Sequence, residues 1–181
     1  MKNATMIVLV LMICFALMLA IGCAPTKIWI GSPTIQTAGN QYFAAQLEPL
    51  TMGHKFFVSF RLTVTNKTDK NLEIDWNKTR YVHNGRTRGV FVFKGIIPKD
   101  IKNLTIPSDT IPAGSTFSKA ISPYECLARA PIRDSSMDMS KPGISAGIIP
   151  TGENGILLVV RQNGEEVVEK LTLNIQEKEV Q

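Results

Sequence analysis

The nine residues Phe57-Val58-Ser59-Phe60-Arg61-Leu62-Thr63-Val64-Thr65 decide the fold. Val58, Phe60, Leu62 and Val64 alternate with Ser59, Arg61, Thr63 and Thr65. Successive side chains of an extended backbone point to opposite faces, so this segment has one apolar face and one polar face. Such a strand belongs to a sheet that is buried on one side and wet on the other. Downstream, the polar turn Asn66–Asn71 is followed by Leu72, Ile74 and Trp76, which resume the same period. Asn84-Gly85, between Val82-His83 and Arg86, is the residue pair that a tight hairpin turn demands. Gly89–Phe93 is a further β-rich run.

The second half reads in the same way. Ile111-Pro112-Ala113-Gly114-Ser115 is a turn leading into a strand at Thr116–Ile121, and Tyr124–Ala128 reads as one more short strand. Arg133–Gly155 holds Pro142, Gly143, Gly147, Pro150 and Gly152, which predicts a long loop with a short strand at Ile148–Ile149. The chain closes on a hairpin of Ile156–Gln162 and Glu165–Ile175 around Asn163-Gly164, with Leu171, Leu173 and Ile175 pointing inward. After residue 22, apolar residues nowhere recur at helical spacing over three turns. Short strands with regular turn signals and no helix predict a single all-β domain over residues 41–181. Its expected form is an antiparallel β-sandwich, with a Greek-key barrel as the alternative.

The first 40 residues differ in character. Lys2 precedes 16 consecutive apolar residues, Met6–Ile21, too few for the roughly 20 of a membrane-spanning helix. A basic start, an apolar core and a small residue are the layout of a helical secretory signal. Residues 1–22 are read as that signal, leaving 159 residues from Cys23 to Gln181. Ala24–Asn40, with Pro, Gly, Ser and Thr around the small apolar cluster Ile28-Trp29-Ile30, reads as a tether beginning at Cys23 and ending in an edge strand. Fully extended it would reach about 50 Å.

The signal ends in Ala20-Ile21-Gly22-Cys23, which resembles the lipobox of bacterial lipoproteins, with Ala20 where Leu is usual. The resemblance implies cleavage after Gly22, a diacylglycerol on the Cys23 thiol and an acylated new amine. It places the protein in the cell envelope, anchored to a membrane through acyl chains on Cys23. Ala24, in place of a retaining Asp, permits outer-membrane sorting in a diderm host. Two acyl chains give stable attachment where one does not. The strand-turn run Phe60–Lys70, with Ile111–Ser115, resembles immunoglobulin-like domains of uncharacterised bacterial lipoproteins, without the paired Cys and core Trp of antibody domains.

Catalytic motifs are absent: no nucleophile elbow, no paired-His metalloprotease motif, no Cys-x-x-Cys and no phosphate-binding glycine loop. No cofactor is implied. Cys14 leaves with the signal and Cys23 is taken by lipid, so Cys126 is the one thiol left and cannot form an intramolecular disulfide. An enzyme or metal-handling reading has to use Cys126 with His54 or His83, with Met137 or Met139 as further metal ligands, and no spacing connects them. A small apolar residue in a strand is the simpler account of Cys126.

The charge is more informative. The chain is +5 overall, and residues 78–102 hold seven basic residues against Asp100 alone. Arg80, Arg86, Arg88 and Lys94 surround the Asn84-Gly85 hairpin, interleaved with Tyr81, Phe91 and Phe93. These four are the expected partner-binding residues, and an anionic envelope component or an acidic protein face is the expected partner. An exported chain does not meet nucleic acid. The leading expectation is a non-enzymatic binding or scaffolding module; a purely structural envelope protein is the alternative. Strand alternation also allows the basic side chains to fall on two faces.

Overall fold

A computed structural model describes residues 26–53, 55–96, 98–129 and 144–180. The signal, Cys23, His54, Met137 and Met139 lie outside the described residues. The chain divides into a main unit, Ile28–Lys178, and a second of Met1–Lys27 with Glu179–Gln181. The core of the fold lies entirely in the main unit.

The strand announced by the alternation, β4 (Phe56–Asn66), is central in a five-stranded antiparallel sheet. Its partners are β3 (Phe43–Met52) and β10 (Thr116–Pro123). Beyond them lie β2 (Gln36–Gly39) on one edge and β8 (Phe91–Val92) on the other. The alternation holds from Phe60 to Val64, where Phe60, Leu62 and Val64 are fully buried. At Val58 it breaks. Leu50 lies opposite Ser59, but Thr51 lies opposite Phe57, so β4 carries one extra residue there. This bulge resets the phase: Phe57 turns inward at 7% exposure, and Val58, expected in the core, is left half-buried.

The second sheet has seven strands. Its main path is β1 (Thr26–Ser32), β14 (Glu165–Val180), β13 (Gly152–Gln162), β5 (Leu72–Ile74) and β9 (Asp109–Ile111). β6 (Arg80–His83) pairs with the first half of β13 and with β7 (Arg86–Thr87). Between β5 and β6 the backbone leaves the ladder and returns. Asp75 N–H donates to Val159 O at 2.9 Å, and Thr79 Oγ1 accepts from Val159 N–H at 3.1 Å. Both Asn-Gly turns form as expected, with positive φ at Asn84 and Gly85 and at Asn163 and Gly164.

The inner faces of the sheets meet in one core. Phe43, Leu47, Phe60 and Leu62 come from one sheet; Leu72, Ile74, Tyr81, Ile156, Leu158 and Leu171 come from the other, all without solvent exposure. Burying each such side chain contributes about 1.5–3 kcal/mol. The protein is thus an all-β sandwich of two antiparallel sheets.

Four local expectations are corrected. The stretch read as a tether enters both sheets from Thr26, as β1 and β2, because Ile28-Trp29-Ile30 and Gln36–Gly39 each find a free strand edge. Tyr124–Cys126 is a 3₁₀ turn following Pro123, not a strand. The long-loop reading fails at its end: β13 already begins at Gly152, and the short strand is β12 (Ile144–Ser145), paired with β11 (Ala128–Arg129) rather than lying at Ile148–Ile149. A helix of six residues, α1 (Pro98–Asn103), is too short to leave a periodic signal. Among the described residues no helix is long and apolar enough to cross a membrane.

Candidate functional site

The β6–β7 hairpin fixes the basic residues in different settings. In its ladder His83 lies opposite Arg86, and Arg88 N–H donates to Tyr81 O at 2.7 Å, so Arg86 and Arg88 share the face of His83 and Tyr81. Both arginines are exposed, and neither has a carboxylate partner among the described residues. Arg80, one residue out of phase, lies on the opposite face. Its guanidinium donates to Asn77 O at 2.6 Å and Thr79 O at 3.1 Å, which spends the charge on the β5–β6 connection. Lys94 is exposed in the turn after β8, which belongs to the other sheet. Lys78, from the same basic stretch, pairs with Glu166. The structure therefore brings Arg86 and Arg88 together and separates Arg80 and Lys94 from them.

The hairpin is held rigidly. Asn84 N–H donates to Glu153 O at 2.9 Å, and Glu153 N–H donates back to Asn84 Oδ1 at 3.0 Å. Gly85 N–H reaches Glu153 Oε1 at 3.2 Å. A loop pinned at three points presents its side chains with little entropy left to lose on binding.

Beneath the same hairpin lies the cysteine. Cys126 is partly buried against the core, beside the Tyr81 hydroxyl. Tyr81 donates to Asn154 Oδ1, and Asn154 in turn donates to Pro150 O and Gly152 O. The rings of Tyr81 and His83 are stacked with centroids 6.3 Å apart, and His83 Nε2 is 3.2 Å from Thr151 O. The structure thus does gather Cys126 and His83 around Tyr81. The thiol, however, is held in its protonated form. Burial pushes the Cys126 thiol up to about 11, with the Glu125 carboxylate adding to the rise. Burial likewise raises the Tyr81 phenol above its ordinary value. A thiol that stays protonated at neutral pH is a poor nucleophile and a poor metal ligand. Among the described residues no group of three His, Cys, Asp or Glu side chains is arranged to hold a metal ion.

Two features were not visible in the sequence. Lys119 on β10 points inward between the sheets, its ammonium 4.0 Å from the centre of the Phe93 ring and 5.4 Å from that of Phe117. It pairs with Asp109, which also accepts from Trp76 Nε1 at 2.7 Å. At the far end, an open groove of about 590 Å³ is lined by Lys70, Asn71, Glu73, Arg161, Asn163 and Gly164. Its charges oppose one another, and Arg161 is already 3.5 Å from Asp75. Neither residue set has a local spacing, because each is assembled from strands distant in sequence.

No protein-family model, curated protein or solved structure matches this chain.

Proposed function

We propose that this protein is a lipid-anchored lipoprotein of the bacterial cell envelope whose immunoglobulin-like sandwich is a non-enzymatic binding or scaffolding module. The observation that carries the binding role is the Arg86–Arg88 pair: two exposed guanidinium groups on one face of a pinned hairpin, without a carboxylate partner among the described residues. Such a pair favours an anionic partner and adds planar, bidentate hydrogen bonding to the charge. The lipobox-like Ala20–Cys23 supports the anchor. A reading built on Cys126 with His83 and His54 loses support from the thiol, which burial keeps protonated.

The test is cross-linked capture from intact membranes, comparing the native chain with the double substitution Arg86→Gln and Arg88→Gln. The native chain should retrieve a specific component that the variant loses. Equal retrieval by both would exclude the hairpin as the binding surface.

A further inference from the structure

We propose that one end of the sandwich, carrying Trp29, Lys55, Phe56, Ile148 and Arg86, rests on the headgroups of an anionic lipid surface. The inference rests on the anchored reading for proximity to a membrane, and on the fold for everything else.

Backbone hydrogen bonds define this end. Trp29 N–H donates to Lys55 O at 3.0 Å, joining β1 to the β3–β4 turn. Ile149 N–H donates to Phe57 O at 2.8 Å, which sets Ile148 and Phe56 on adjoining segments. Two residues on, His83 lies 3.2 Å from Thr151 O, and the Asn84-Gly85 tip is clipped to Glu153. The β1 cluster, the β3–β4 turn, the 148–151 segment and the β6–β7 tip therefore line a single end.

That end is apolar where a turn region is ordinarily polar. Phe56 is 36% exposed and Ile148 49%. The half-buried Trp29 ring packs edge-on against Phe56, with centroids 5.5 Å apart. The opposite end differs: its turns, Lys67–Asn71, Ala113–Ser115 and Asn163–Gly164, expose no large apolar side chain. An amphipathic ring with apolar neighbours and flanking cations suits the headgroup level of a bilayer. Lys55 and Arg86 are exposed there, while Glu153, the carboxylate beside the hairpin, is engaged by Gly85 N–H and lies 3.7 Å from Lys170.

The chain outside the described residues supplies the occupant. Paired strand begins at Thr26, and the apolar run Met6–Ile21 ends only five residues earlier. Trp29 lies six positions after Cys23, a reach of about 20 Å at full extension. A membrane holding the chain at Cys23, or at the apolar run itself, therefore lies within reach of this end. A protein partner has no such argument in its favour.

The test uses the full chain in two vesicle preparations, phosphatidylcholine alone and phosphatidylcholine with phosphatidylglycerol, each with brominated acyl chains. Flotation after an alkaline wash reads the anchor; quenching of tryptophan fluorescence reads the docking. Trp76 is fully buried, so quenching belongs to Trp29 and should vanish in Trp29→Phe. The expected result is flotation in both preparations, with quenching stronger when phosphatidylglycerol is present. That excess should be lost in Lys55→Gln/Arg86→Gln and in high salt. A chain that floats but is unquenched in both lipids overturns the docking and leaves the anchor standing, as does a surface kept for a protein partner. A chain that does not float has lost the anchored reading. If phosphatidylglycerol vesicles then still quench Trp29 at low salt the docking holds, and if they do not it falls as well.

Discussion

Lys119 and Asp109 form an ion pair that joins the two sheets at one flank of the sandwich. Lys119 comes from β10 of the five-stranded sheet and Asp109 from β9 of the seven-stranded one. With side chains only 24% and 27% exposed, the pair is partly desolvated, and the rings of Phe93, Phe117 and Trp76 surround the ammonium. A cation so placed gains from the ring faces as well as from the carboxylate. Lys119→Met and Asp109→Asn should each destabilise the domain by about 1–2 kcal/mol in urea unfolding, with the double substitution costing less than the sum. Lys78→Met, which breaks the exposed Lys78–Glu166 pair, should stay within about 0.5 kcal/mol.

Asn66 is the polar counterpart of that flank. Only 2% exposed, its amide donates to Lys70 O at 2.7 Å and to Ile111 O and Pro112 O, both at 3.0 Å. Its oxygen accepts from Thr68 N–H at 2.9 Å and Thr68 Oγ1 at 2.8 Å. One side chain thus closes the β4–β5 turn onto the end of β9 and the turn that follows it. Removing it in Asn66→Ala leaves several buried groups unpaired and should cost about 3 kcal/mol, read from the unfolding midpoint.

Gly155 is fixed by space rather than by turn geometry. A Cβ there would lie 2.1 Å from Leu171 O and 2.9 Å from Thr172 Cα, both backbone atoms of the neighbouring strand. Gly155→Ala must therefore push β13 from β14, with an expected loss of about 2–4 kcal/mol. Gly164→Ala meets no atom and suffers only its positive φ of 85°, so about 1 kcal/mol is expected. Thermal unfolding of the two variants side by side separates crowding from backbone strain.

The thiol of Cys126 should react slowly. Raising it from 9.0 to about 11 reduces the thiolate present at pH 8 by about a hundredfold. Alkylation of the folded chain should be slower than that of the unfolded chain by about that factor, and equal rates would restore the nucleophile reading. Folding favours the protonated form of both Cys126 and Tyr81. The stability they contribute is therefore complete below pH 9, the ordinary thiol value, and declines as pH rises towards 11 and beyond. Urea unfolding across that range should show the decline, and Cys126→Ala should reduce its slope.

Legibility in the sequence followed the range of the interaction. The strand at Phe60–Val64, both Asn-Gly turns and the inward set Leu171, Leu173 and Ile175 depend on neighbours one or two residues away, and each was readable. The bulge at Val58 was not, because only the register against Leu50 and Thr51 reveals it. The pairing of Thr26–Ser32 and Gln36–Gly39 was hidden for a similar reason: Pro and Gly gave the segment the composition of a linker, while free strand edges elsewhere decided its conformation. At the candidate site, the charge of residues 78–102 was plain, but which arginines share a face required the hairpin register. Nothing near Lys119 in the chain announces Asp109, Trp76 and Phe93 as its surroundings.

The central claim, a lipid-anchored binding module, is tested most directly by the intact mass of the chain extracted from bacterial membranes. Loss of Met1–Gly22 and the added mass of acyl groups at Cys23 are expected, with Cys23→Ser releasing the protein into the soluble fraction after an alkaline wash. A chain that retains Met1 and carries an unmodified Cys23 thiol would contradict it.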